Sequence, residues 1–111
     1  MKLELRYIVS QADLANERLT LRALIDLDLG GYLVAQTGSV DESPIATLNY
    51  SVWFPFKFVQ KGDLVVIHTK TGSNSERVLD KGNEAHFFYL DLWQPIWNDA
   101  NKAALVLHAP S

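Results

Sequence analysis

Apolar and polar residues alternate with a period of two over most of the chain. Leu3, Leu5, Tyr7 and Val9 are interleaved with Glu4, Arg6 and Ile8. Leu19, Leu21, Ala23 and Ile25 are interleaved with Arg18, Thr20 and Arg22. Successive side chains of a strand point to opposite faces, so each segment is predicted to be a strand with one buried face. Between them, Gln11 to Asn16 is polar and turn-like. A short helical turn near residues 11–16 is the rival reading, because Ser10 and Asp13 have capping-box-like spacing and Leu14, Leu21 and Ile25 can share a helical face. Arg18 falls in the middle of that face, which favours the strand.

Further along, Asp26-Leu27-Asp28-Leu29-Gly30-Gly31 reads as a tight reversal. Tyr32 to Ala35 is a short strand, Gln36 to Pro44 a polar loop, and Ile45 to Val52 a further strand. Trp53-Phe54-Pro55-Phe56-Lys57-Phe58-Val59 is expected to be an edge strand or an extended loop, since Pro55 has no N–H to give to a ladder. Gln60 to Asp63 is a turn, and Leu64 to Thr69, rich in β-branched residues, a central strand. Thr71 to Asn83 reads as a long polar loop and Ala85 to Leu92 as a strand. Trp93 to Asn101 is irregular, and Ala103 to His108 closes the series. Short strands separated by turn signals at regular intervals predict an all-β sandwich or barrel.

Composition adds bounds to this picture. A chain of 111 residues, 48% of them hydrophobic, suits a single domain over residues 1–111. With no cysteine there is no disulfide and no thiolate chemistry. No apolar run reaches the ~20 residues of a membrane helix, and Met1 to Ser10 lacks the continuous apolar stretch of a secretion signal. The expectation is a cytoplasmic protein that does not engage a membrane. Net charge is -3 with lysines and arginines scattered, so a nucleic-acid partner is not expected.

The order of several short motifs is similar to that of a known family. Glu17-Arg18-Leu19-Thr20-Leu21-Arg22 leads into Asp28-Leu29-Gly30-Gly31-Tyr32. Phe54-Pro55-Phe56 precedes Lys61-Gly62-Asp63 and Leu64-Val65-Val66-Ile67. Trp93, Trp97-Asn98-Asp99 and Ala103-Ala104-Leu105-Val106-Leu107 follow. Over roughly residues 16–108 this layout resembles the lamin-tail domain, an immunoglobulin-like two-sheet sandwich. The resemblance implies a non-catalytic interaction module. Lamin versions bind proteins and DNA, but no basic cluster is present here to carry the DNA role.

Candidate chemistry is sparse. His68, His86 and His108 have no local chelating spacing, so neither a metal nor another cofactor is expected. Asp26 and Asp28 beside Gly30-Gly31 suit a turn. Glu84 and His86 share a strand face and, with Asp91, form one candidate acid–base group for a small enzyme. No nucleophile elbow or phosphate loop is present. The aromatics are the strongest signal. On a regular strand Phe54, Phe56 and Phe58 would point one way and Trp53 the other. Trp53, Phe54, Phe56, Tyr89, Trp93 and Trp97 are the candidate binding residues. The leading expectation is a protein-binding module that forms a homo-oligomer, a homodimer in its simplest form, through the Trp53–Phe58 edge. The alternative is a small-ligand or carbohydrate-binding sandwich in which Trp53, Tyr89, Trp93 and Trp97 form a platform beside Asp91 and Asn98.

Overall fold

A computed structural model describes residues 2–40, 43–97 and 102–108. Within them the protein is all-β, with ten strands. These are β1 (Leu3–Val9), β2 (Arg18–Ala23), β3 (Leu27–Asp28), β4 (Tyr32–Val40), β5 (Ser43–Trp53), β6 (Phe58–Val59), β7 (Leu64–His68), β8 (Ser75–Val78), β9 (Glu84–Tyr89) and β10 (Lys102–His108). A five-stranded sheet has the order β1-β2-β7-β9-β8 and a three-stranded sheet the order β10-β4-β5, with β3 and β6 pairing at one end. Among the described residues no helix is long and apolar enough to cross a membrane.

The two larger sheets share one core, as in a sandwich. Leu3, Leu19, Leu21, Val65, Ile67 and Phe88 come from the first, and Tyr32, Val34 and Val106 from the second. Each fully buried aliphatic side chain of this kind contributes roughly 1.5–3 kcal/mol. Among the described residues all strand pairs are antiparallel except β7 and β9, which run parallel with Leu64 next to Ala85. That single parallel pair sets Asp63, just before β7, beside the start of β9.

The structure departs from the sequence pattern at three places, and at a fourth it decides between the two readings. In β1, Leu5 faces Leu21 and Tyr7 faces Thr20, so Arg6 is an extra residue, a β-bulge. Beyond it the faces exchange: Ile8 packs inward and Tyr7 turns out. Most of the expected loop of residues 36–44 is strand, because β4 continues to Val40 and β5 begins at Ser43, with residues 41 and 42 outside the described residues. Within the expected loop of residues 71–83 lies β8, all four of whose residues are exposed. An edge strand with neither face buried carries no alternation to read. Residues 11–16 form hydrogen-bonded turns and no helix, with one i to i+4 bond from Glu17 N to Asp13 O.

Candidate functional site

The aromatic segment separates into two environments. Trp53 ends β5 and Phe58 begins β6, but Phe54 to Lys57 is not strand, so the two-residue alternation lapses there. Phe54 packs into the core edge-on against Phe88, with ring centroids 5.2 Å apart. Trp53, Phe56 and Phe58 are 56%, 86% and 62% exposed. Phe56 lies over Gly30, where an added Cβ would sit 2.2 Å from its ring. That close approach requires glycine or a moved ring.

Of the remaining candidates, Tyr89 lines one cleft with Trp97 and a second pocket with Trp53 and Phe54. Trp97 is in the core, whereas Trp93 is 91% exposed. Tyr89 is half-buried, stacked on His68 at 4.9 Å, with Gly72 against its ring. Asn98 lies outside the described residues. Between the sheets a cleft of about 200 Å³ opens beside Tyr50, Val52, Leu92 and Trp97. A shallower groove runs past Asp26, Asp28, Tyr32, Phe56 and His108.

The three histidines occupy three separate places. His108 stacks on Tyr32 at 4.3 Å. His68 lies beside Phe87 and Tyr89. Burial, then the charges of Lys70 and Arg18, push its imidazole below the usual value. His86 is buried at the head of β9, on the same face as Glu84, and their nearest N and O atoms are 3.8 Å apart. The acid that meets His86 is Asp63, with Nε2 3.0 Å from Oδ2. Asp91 is at the other end of β9, where it accepts a hydrogen bond from Gly72 N and has φ of 58°.

Two buried carboxylates had no distinctive signature in the sequence. Asp63 closes the turn of residues 60–63, accepting from Gln60 N at 3.0 Å. It also accepts from Glu84 N at 3.0 Å and Asn83 Nδ2 at 3.2 Å. Burial by itself would raise its pKa, but the donors from Gln60, Glu84, His86 and Asn83 outweigh it and hold the group at about 2. Glu17 is fully buried. Its two oxygens accept from Ala12 N, Thr69 Oγ1, Ile96 N and Trp97 N at 2.7–3.0 Å. This pins the irregular segment that carries Trp97 onto the start of β2. Its place at the start of an alternating strand was the only local cue to Glu17.

No family model, no curated protein and no solved structure matches this chain.

Proposed function

We propose that this chain is a non-catalytic protein-interaction module, a lamin-tail-like sandwich of immunoglobulin type, that self-associates through the edge running from the end of β5 to Phe58. The observation that carries the reading is the exposure of three large aromatics, Trp53, Phe56 and Phe58, within six residues beside an open strand edge. More than half of each residue is exposed, and aromatic side chains of this kind dominate the energetics of interfaces that bury them.

The other edges are blunted. β1 is bulged at Arg6. β8 is short and carries Glu76 and Arg77, the first of them paired with Lys57. β10 approaches β1. The outer side of β5 has no strand neighbour among the described residues. An unpaired strand edge is a template for another strand. A second copy of the same edge, related by a two-fold axis, is self-complementary and brings Trp53 of each copy into the same interface.

The test is the solution mass of the wild type, Trp53→Ala and Phe56→Ser up to high micromolar concentration. The expected result is a dimer for the wild type and monomers for the variants, with urea stability unchanged. A monomeric wild type removes the proposal.

A further inference from the structure

Three potential metal ligands from two strand beginnings converge at the head of β9. Glu84 and His86 are two residues apart on one face of that strand, and the parallel pairing of β7 with β9 delivers Asp63 beside them. His86 Nε2 is 3.0 Å from Asp63 Oδ2 and 3.8 Å from Glu84 Oε2, and one ligand atom from each residue lies within 4.8 Å of the others. Donors bound at about 2.0–2.1 Å to a tetrahedral ion are about 3.3 Å apart. The two distances to His86 bracket that spacing, and the two carboxylate oxygens, within 4.8 Å of each other, close by at most about 1.5 Å when Glu84 swings onto an ion on Nε2.

The surroundings are organised for this. Asp63 is oriented by three N–H groups besides His86, those of Gln60, Glu84 and Asn83. Such outer-shell bonds fix a ligand's direction. The side chain of Glu84 is 41% exposed, so it supplies both the entry path and the freedom to close on an ion. Glu76 faces His86 across the β8–β9 pair and adds negative charge, although Lys57 engages its carboxylate. The imidazole is 97% buried, its Nδ1 is without a hydrogen-bond partner, and its ring is held at Nε2 alone. The Nε2 proton shared with Asp63 is the position a cation would take.

We propose that Asp63, Glu84 and His86 form a binding site for a divalent transition-metal ion of the zinc type, with water completing the coordination. One imidazole nitrogen and two carboxylate oxygens select zinc, cobalt or nickel over calcium and magnesium, which take all-oxygen sets. A ligating histidine usually donates its second ring N–H to an outer-shell acceptor, and loss of such a partner weakens binding about 10–100-fold. Nδ1 of His86 has none, so the site is expected to bind more weakly than one with a complete outer shell.

The experiment is calorimetric titration of chelator-treated protein with Zn(II) at neutral pH, with Co(II) absorption as an independent readout. Saturable binding of one ion per chain is expected. Glu84→Gln is expected to bind at least tenfold more weakly with urea stability unchanged, since that side chain is half-exposed. His108→Gln, at the surface on Tyr32, is expected to bind as the wild type does. The proposal is overturned by the absence of saturable binding in the wild type, by Glu84→Gln binding undiminished, or by loss of binding in His108→Gln. Because Glu84→Gln leaves the buried pair in place, the outcome does not depend on whether His86 variants fold.

Discussion

Glu17 Oε2 accepts a hydrogen bond from Thr69 Oγ1 at 2.7 Å, across 52 positions of sequence, with both residues fully buried. The same carboxylate serves three backbone N–H groups, of Ala12, Ile96 and Trp97. Glu17→Ala would strand three buried donors and the part-buried N–H of Ala12. Each unmet donor costs roughly 1–3 kcal/mol before relaxation or water entry, so a loss of about 3–5 kcal/mol is expected. Glu17→Gln keeps one acceptor oxygen and should lose less. Urea unfolding of both variants checks this, and a loss below about 1 kcal/mol for the alanine variant would contradict the role given to Glu17.

Asp63 supplies a pH signature. Its folded pKa of about 2 lies below the ordinary value of 3.8. A depressed carboxylate stabilises the fold above its unfolded pKa, and that contribution disappears as pH falls from about 4 through 2. The difference corresponds to about 2 kcal/mol. Asp63→Asn should therefore be less stable than the wild type at neutral pH, with the gap closing between pH 4 and 2. A gap independent of pH over that window would exclude the linkage.

His68 works in the opposite chemical sense and at higher pH. Its lowered pKa, caused first by burial and then by Lys70 and Arg18, means that the fold favours the neutral ring. That preference stabilises the fold above the unfolded value of about 6.5 and is lost as pH falls below it. His68→Phe preserves a ring for Phe87 and Tyr89 to stack on but cannot titrate. Its stability relative to the wild type should rise between pH 7 and 5, measured by thermal unfolding at each pH. A constant difference would sink the idea.

Two backbone positions predict changes of opposite sign. Ala12 has φ of 68°, a left-handed conformation that costs an L-residue roughly 1–2 kcal/mol. Ala12→Gly relieves it, partly offset by the greater freedom of glycine in the unfolded chain, for a net gain of about 0.5 kcal/mol. Gly62 has φ of 92°, and a Cβ there would meet the Asn83 amide at 3.1–3.3 Å. Gly62→Ala should lose about 2 kcal/mol and disturb the Asn83 contact to Asp63. Chemical denaturation of the pair decides both, and a stabilised Gly62→Ala would refute the backbone reading.

How far the sequence pattern could be read follows from what each strand touches. Leu19-Leu21-Ala23 shows its faces because one is buried and the other carries Arg18 and Arg22. Ser75 to Val78 shows nothing because all its residues are exposed. Tyr7 misleads because a single unpaired residue, Arg6, reverses which face is inner, and alternation alone does not show where a bulge falls. At the candidate site, period two was enough to put Glu84 and His86 together. Asp91 is the next acid along the sequence beyond Glu84, yet the chain brings Asp63 instead.

An alternating chain with turn residues at intervals commits this protein to strands and to an apolar layer between sheets, because strand period and turn chemistry are local properties of neighbouring residues. Which acid meets His86, which oxygens satisfy Ile96 and Trp97, and which of Trp53, Phe54, Phe56 and Phe58 face solvent depend on strands paired across 20 to 80 positions. Burial and hydrogen bonding are conferred by those distant neighbours. No window of sequence contains both partners, so those assignments exist only once the parallel β7–β9 pair and the packed sheets have formed.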